Sequence, residues 1–278
     1  MHDIKTKSLC VPALGLGTWQ LQNETCRETV RTALQLGYQH IDTASAYGNE
    51  ADIGQALRES SVTRASLFIT SKVWYKDLSP DALLRSCRES LKNLQIDQLD
   101  LLLVHWPNAE ISLRQTLQAL QQTVIQGLCR HVGVSNFPPA LLSEALLSAP
   151  IECIQVECHP YLSQEDLRAF AAQRQLLFTA YSPLARGKVL QDPVLQDVGR
   201  KYGKSPAQVA LRWLVQQPGV AAIPKATSKA HLQHNMDIFD FQLDAHDLER
   251  IAALNQNKRL VDPDFAPDWS LRHTAAYL

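Results

Sequence analysis

Apolar and polar residues follow two recurring patterns along the chain. Short apolar runs are each followed by a loop, and then by a longer stretch with apolar residues three and four positions apart. The short runs predict buried strands, and the longer stretches predict amphipathic helices. The predicted strands centre on eight positions: Leu16, Ile41, Ile69, Leu102, Val134, Val156, Phe178 and Ala222.

Helix start signals support this reading of the pattern. Ser79 followed by Pro80 is typical of an N-cap and a first helical turn, and Ser205 with Gln208 predicts a capping box. Strands alternating with helices through 278 residues predict an α/β fold, a (β/α)8 TIM barrel. We expect one domain over residues 1–278, with a short hairpin within residues 2–11. An extra helix over residues 244–254 and an irregular tail are expected after the barrel.

Four polar residues stand where predicted strands end. Asp42 ends the second strand and Tyr47 lies in the loop after it, while Lys72 and His105 end the third and fourth strands. In such barrels the active site lies at the carboxyl ends of the strands, so these side chains should converge. A phenol has a pKa of about 10. We expect Lys72, held by Asp42, to lower that value, and His105 to donate to a substrate oxygen. The set predicts Tyr47 as the general acid for a carbonyl that receives hydride.

Several motifs occur in a fixed order across nearly the whole chain: GLGTW, DTASAYGNE, VHWP, GVSNF, QVECHP, AYSPL and IPKAT. With them the chain resembles the aldo-keto reductase family, whose catalytic tetrad is Asp, Tyr, Lys and His. The tail NKRLVDPDFAPDW is similar to that of a bacterial group that reduces 2,5-diketogluconate, methylglyoxal and other small aldehydes. The resemblance implies NADPH-dependent reduction of small aldehydes, dicarbonyls or keto sugars. It assigns catalysis to Asp42, Tyr47, Lys72 and His105.

The resemblance also implies a set of nicotinamide-cofactor residues. Ser135, Asn136 and Gln155 match the ligands of the carboxamide, and Tyr181 matches the aromatic residue that stacks on the nicotinamide. The full implied set is Gly17, Thr18, Trp19, Asp42, Ser135, Asn136, Gln155, Tyr181, Ser182, Leu184, Lys225, Ala226, Thr227, Ser228, His231 and Asn235.

The phosphate end of this set departs from the family pattern. Lys225 stands beside the start of a short predicted helix, where a cation and free N–H groups favour a phosphate. The resemblance puts the adenosine 2′-phosphate there. The family usually carries an arginine at His231 and an acid at His234, so a bidentate phosphate contact is missing. We expect NADPH as the cofactor, with NADH possible but weaker.

The substrate pocket is expected to have aromatic walls. Trp19, Trp74 and Trp106 match the wall residues of the family, and Tyr47 and His105 should contact the substrate. The segments after Trp106 and Tyr181 are short, which favours an open pocket and small substrates. Trp269 on the tail is expected to add a wall from outside the barrel.

Charge, hydropathy and cysteine content limit the partners and the compartment that we expect for this protein. Lys and Arg number 27 against 28 Asp and Glu, without clustering, so we expect no nucleic-acid partner. No apolar run reaches membrane-spanning length, and the charged N-terminus is unlike a signal peptide. Six cysteines without a C-x-x-C pair are typical of a reduced cytosolic protein. We therefore expect a cytoplasmic monomer that acts on a small-molecule carbonyl compound.

Two other functions are less consistent with these residues than the reductase. A regulatory protein that binds a nicotinamide nucleotide on the same barrel would not need a working acid, so the intact tetrad favours the enzyme. Metal-dependent hydrolysis would favour a His-x-His pair at a strand end, which the sequence lacks. His231 with His234 has no evident third ligand, and the resemblance assigns Cys158 with His159 to the structural end of the sixth strand, so we expect no metal site.

Overall fold

A parallel sheet of eight strands lies at the centre of the computed structural model, which describes residues 2–270. A hairpin of β1 (Asp3–Lys5) and β2 (Cys10–Pro12) precedes the sheet. The strands of the sheet are β3 (Leu16–Gly17), β4 (His40–Asp42), β5 (Phe68–Val73), β6 (Leu99–Val104), β7 (Cys129–Ser135), β8 (Cys153–Glu157), β9 (Leu177–Tyr181) and β10 (Val220–Ala222). Each centre predicted from the apolar runs lies inside one of these strands.

Helices alternate with the strands and cover the outside of the sheet. They are α1 (Asn23–Gln35), α2 (Glu50–Glu59), α3 (Pro80–Leu94), α4 (Leu113–Ile125), α5 (Pro139–Ser148), α6 (Glu165–Gln173), α7 (Pro193–Tyr202), α8 (Pro206–Val215), α9 (Lys229–Met236) and α10 (Ala245–Ala252). Short 3-10 turns occupy Ser45–Tyr47, Arg64–Ser66, Tyr75–Asp77 and Ala185–Gln191. None of the helices described for residues 2–270 combines the length and apolar character needed to cross a bilayer.

Backbone hydrogen bonds between the first and last strands close the sheet into a barrel. Gly15 N–H donates to Ala222 O over 2.9 Å, and Gly17 N–H donates to Pro224 O over 3.0 Å. A Cβ atom on Gly17 would lie 2.6 Å from Ile223 O, so the close approach at this seam requires glycine. The predicted (β/α)8 barrel is confirmed.

The helix signals are confirmed with one difference between them. Ser205 and Gln208 form a reciprocal capping box at the start of α8. Ser79 is the N-cap of α3, but its side chain makes no capping hydrogen bond. The last predicted helix is present as α10, and residues 255–270 contain no further helix or strand, as expected for that part of the tail. Residues 271–278 lie outside the described residues.

Candidate active site

The predicted catalytic residues meet at a cavity of about 970 Å³ at the carboxyl ends of the barrel strands. Asp42 is the last residue of β4, His105 directly follows β6, and Tyr47 ends a 3-10 turn. These three side chains line the cavity. Lys72, near the end of β5, is 1% exposed and does not line the cavity. The parallel order of β4, β5 and β6 therefore brings the four residues together.

A buried ion pair forms the base of this site. Lys72 Nζ donates to Asp42 Oδ1 over 2.5 Å and to Thr43 O over 2.8 Å. Gln155 Nε2 donates to the second carboxylate oxygen of Asp42 over 2.8 Å. Both charged side chains are almost fully buried, so the hydrogen bonds offset part of their desolvation cost. The ammonium lies 5.2 Å from the centre of the Tyr47 ring.

A buried residue that the sequence analysis missed joins the loop that carries Tyr47 to the loop after β3. Asn49 is fully buried, and its amide donates to Thr18 O over 2.8 Å and Leu21 O over 2.9 Å. Its oxygen accepts from Thr43 Oγ1 over 2.8 Å. These bonds fix the loop after β3 against the loop after β4. An asparagine after a glycine is an ordinary turn signal, so the sequence alone gave no reason to single it out.

The electrostatic environment of Tyr47 differs from the prediction. Burial raises the pKa of its phenol well above the usual value, and the Asp42 carboxylate adds to the rise. The net lowering of this pKa that was expected from Lys72 is wrong, because burial and the Asp42 carboxylate outweigh the charge of the ammonium. Lys72 donates its hydrogen bonds to Asp42 and Thr43, and the nearby carboxylate offsets part of its charge.

His105 is neutral in this environment. Burial lowers the pKa of its imidazole well below the usual value, and the Lys72 charge lowers it further. Its ring packs edge-on against Tyr47 and Trp74, with centroid distances of 5.6 Å and 5.2 Å. Nδ1 is buried without a hydrogen-bond partner. An unpaired buried acceptor costs less than the alternative of burying an N–H donor unpaired, so we expect the hydrogen on Nε2.

Many of the expected cofactor residues line the same cavity. They are Gly17, Thr18, Trp19, Asp42, Asn136, Gln155, Tyr181, Ser182 and Lys225. The other expected residues do not line it: Ser135, Leu184, Ala226, Thr227, Ser228, His231 and Asn235. Ser135 is instead buried at the end of β7, where its hydroxyl accepts from Asn136 Nδ2 over 3.1 Å.

Asn136 organises the part of the cavity at the ends of β7 and β9. Its amide donates to His105 O over 3.0 Å, and its oxygen accepts from the Tyr181 hydroxyl over 2.8 Å. Its backbone has a φ of 62°, a left-handed conformation that asparagine tolerates better than most residues. These bonds fix the orientation of the Tyr181 ring, as a stacking surface requires.

The start of α9 lies next to the mouth of the cavity. Lys225, Thr227 and His231 are exposed there, and Asn235 is buried. Ser228 is the N-cap of the helix, and its side chain accepts from His231 N–H over 3.2 Å. Arg186, which the sequence analysis missed, also lines the mouth, with its guanidinium carbon 5.7 Å from the centre of the Trp19 ring.

The aromatic walls agree only in part with the expectation. Trp19, Trp74 and Trp106 line the cavity as expected. Trp269 does not line it, because its ring packs against the Arg259 guanidinium at 3.6 Å. Phe265 supplies the tail wall instead, with edge-on contacts to Trp74 and Trp106 at 5.5 Å and 5.6 Å.

Four more tail residues line the cavity together with Phe265, namely Leu260, Val261, Asp262 and Pro263. The available signal for them was the adjacent apolar pair Leu260 and Val261 and the aromatic Phe265 in the tail. Within residues 2–270, no group of three or more His, Cys, Asp or Glu side chains is arranged to hold a metal ion.

Comparisons with known proteins agree with this geometry. The family model described as "Aldo/keto reductase family" matches residues 13–256. The chain belongs to the aldo/keto reductase family. It is therefore an oxidoreductase that acts on carbonyl groups, as the sequence analysis predicted.

Several known reductases are similar to this protein over most of the chain. Methylglyoxal reductase DkgB of Escherichia coli O157:H7 is 42% identical over 267 residues, covering 94% of this chain and 100% of that protein. Aldo-keto reductase family 1 member A1 of Sus scrofa is 37% identical, covering 93% and 90%. A crystal structure provisionally assigned as a 2,5-diketo-D-gluconic acid reductase B has a TM-score of 0.95 and 40% identity, covering 97% of both chains.

The buried pair leads to a stability prediction. Lys72→Met should lower the free energy of unfolding by about 3–5 kcal/mol, because it leaves the Asp42 carboxylate buried without its cation. The double variant Asp42→Asn with Lys72→Met removes both charges and should lose clearly less. Urea unfolding of the two variants beside wild type measures the difference. Equal losses in both variants would show that the uncompensated charge is not the cause.

Proposed function

We propose that this protein is an NADPH-dependent aldo-keto reductase that converts small aldehydes, dicarbonyls or keto sugars to alcohols, with Tyr47 as the general acid. The observation that carries the proposal is the meeting of Asp42, Tyr47, Lys72 and His105 at one cavity. Asn136, Gln155 and Tyr181 line that same cavity. A phenol, a neutral imidazole and a buried cation at one cavity are suited to protonating and orienting a carbonyl oxygen.

The donor set fits a nicotinamide cofactor. Tyr181 offers an aromatic face whose orientation is fixed by its hydrogen bond to Asn136. The Asn136 and Gln155 side chains, with the Ser135 hydroxyl behind them, can exchange hydrogen bonds with a carboxamide. Lys225 lines the mouth and is a cation suited to a phosphate. When bound, NADPH supplies the hydride.

In this mechanism Tyr47 and His105 act on the carbonyl oxygen. The neutral His105 donates its Nε2 hydrogen to that oxygen and orients the carbonyl. Tyr47 transfers its proton to the same oxygen as the carbon receives hydride, so the C=O bond becomes C–OH. A high phenol pKa suits this role, because the proton stays on Tyr47 until a stronger alkoxide base develops.

Lys72 stabilises the phenolate that this transfer leaves behind. Its ammonium lies close to the ring and is held in place by Asp42. As negative charge develops on the phenol oxygen, the fixed cation lowers the energy of the transition state. Solvent then returns a proton to Tyr47 and completes the cycle.

We further propose that the enzyme works as a cytoplasmic monomer. Asp42, Tyr47 and His105 of one chain line the cavity together, so the proposed proton transfer uses no residue of a second copy. Five cysteines are buried as free thiols, which is typical of proteins from reducing compartments.

The acid assignment is tested by Tyr47→Phe, which removes the hydroxyl and keeps the ring. Turnover of methylglyoxal with NADPH should fall ~10²–10⁴-fold, while NADPH affinity stays close to wild type. Tyr75→Phe is the matched control, because Tyr75 carries a phenol beside the same aromatic wall, stacked on Phe265. Initial rates over a panel of aldehydes and keto sugars give the comparison. Near-wild-type turnover in Tyr47→Phe would overturn the assignment.

Cofactor choice is tested at the mouth of the cavity. Lys225→Met should weaken NADPH binding by about tenfold and leave NADH binding nearly unchanged, because the lysine provides a charged hydrogen bond to the extra phosphate. Lys229→Met is the control, since Lys229 is an exposed lysine on α9 that does not line the cavity. Fluorescence titration with each cofactor measures the dissociation constants for NADPH and NADH. Tighter binding of NADH than of NADPH by wild type would contradict the proposal.

A further inference from the structure

A buried carboxylate outside the tetrad is joined to the tail wall of the cavity. Glu157 is the last residue of β8, is 0% exposed and does not line the cavity itself. Its Oε2 accepts hydrogen bonds from Leu260 N–H and Val261 N–H, both over 3.0 Å, and its Oε1 also accepts from Leu260 N–H over 3.0 Å. The carboxylate thus binds the backbone of two residues that do line the cavity.

A second buried side chain completes the environment of this carboxylate. His159 Nε2 lies 3.1 Å from Glu157 Oε1, and both side chains are 0% exposed. Burial by itself raises the pKa of the Glu157 carboxyl, but the hydrogen bonds from His159, Val261 and Leu260 together lower it below the usual value. An acceptor held ionised is suited to binding two adjacent backbone N–H groups.

The tail is fixed on both sides of this contact. Before it, Gln256 N–H and Lys258 N–H donate to Tyr161 O over 3.1 Å and 2.9 Å. After it, Phe265 packs between the aromatic rings at the cavity. Residues 260–265 are called the wall segment here. Tyr161 holds the chain just before this segment, and the aromatic rings around Phe265 hold its last residue. The Glu157 carboxylate binds the first two residues of the segment, Leu260 and Val261.

We propose that Glu157 is a positioning residue for the substrate. Its carboxylate fixes the wall segment, and through that segment it sets how tightly small carbonyl compounds are held. This inference rests on the proposed reductase function. Glu157 touches neither Tyr47 nor His105 by any described hydrogen bond, so it acts on substrate fit and not on proton transfer. A close wall excludes water and holds a small substrate against the tetrad.

The test is Glu157→Gln, which keeps the shape of the side chain. One oxygen becomes an amide group that cannot accept from Leu260 or Val261. We expect the KM for methylglyoxal to rise about tenfold, the loss of roughly one such hydrogen bond, with kcat within about threefold of wild type. The specificity constant for a larger aldehyde, 4-nitrobenzaldehyde, should fall less than that for methylglyoxal. NADPH affinity should not change.

Asp100→Asn is the matched control. Asp100 is a buried carboxylate in β6 that accepts from Ile69 N–H over 2.9 Å and from Arg64 over 2.6 Å, with no bond to the tail. Loss of this carboxylate should lower the free energy of unfolding. It should leave unchanged the ratio of the specificity constants for methylglyoxal and 4-nitrobenzaldehyde. If Asp100→Asn changed this ratio as much as Glu157→Gln does, the cause would be a general loss of barrel stability, and the proposal would be overturned.

Limited trypsin digestion gives a readout that does not depend on activity. Cleavage after Lys258 and Arg259 should be faster in Glu157→Gln than in wild type or Asp100→Asn, because the wall segment is released. Equal cleavage rates would overturn the proposal, as would a fall in kcat at constant KM. If wild type reduces no aldehyde, the reductase function fails. The digestion alone then decides whether Glu157 holds the wall.

A second variant tests the proposal without changing the buried Glu157 and His159 side chains. Val261→Pro removes one backbone donor to Glu157 and leaves Glu157 and His159 unchanged. It should raise the KM for methylglyoxal and the cleavage rate in the same direction as Glu157→Gln. Wild-type values for both quantities would contradict the proposal, including in the case where Glu157→Gln does not fold.

Discussion

The candidate active site depends on one buried ion pair, that between Asp42 and Lys72. Taking two charges out of water is costly, and their attraction compensates only with good geometry and further hydrogen bonds. Thr43 O and the Gln155 amide supply those bonds, one to each partner. The pair in turn fixes a cation beside the Tyr47 ring. Replacing it with apolar residues could serve the fold, so we attribute its presence to the chemistry at the phenol.

The barrel makes this arrangement possible because it aligns strand ends. Asp42, Lys72 and Gln155 come from β4, β5 and β8, yet their side chains form one hydrogen-bonded group. The seam between β3 and β10 brings Gly17 and Lys225 to the same cavity. Loops then add what the strands cannot: Asn49 fixes the Tyr47 loop, and the wall segment of the tail closes one side. The strands hold the ion pair, and the loops carry the proton donor and shape the pocket.

Local patterns predicted the strands, the capped helices and the tetrad, because strand ends in a parallel barrel converge whatever the loops do. The tail was different. It has no apolar period, and its contact with Glu157 joins residues more than a hundred positions apart, so Trp269 was expected at the wall where Phe265 lies. The rise in the Tyr47 pKa also escaped the sequence, because it depends on burial that only the folded chain creates.

The proposed mechanism requires a carbonyl oxygen between Tyr47 and His105 while the nicotinamide stacks near Tyr181. The most direct measurement is a crystal structure of the protein with NADP⁺ and methylglyoxal, a pair that cannot react by hydride transfer to the carbonyl. We predict that the carbonyl oxygen lies within hydrogen-bond distance of both the Tyr47 hydroxyl and His105 Nε2. A carbonyl oxygen out of reach of Tyr47, or a nicotinamide bound away from Tyr181, would contradict the account.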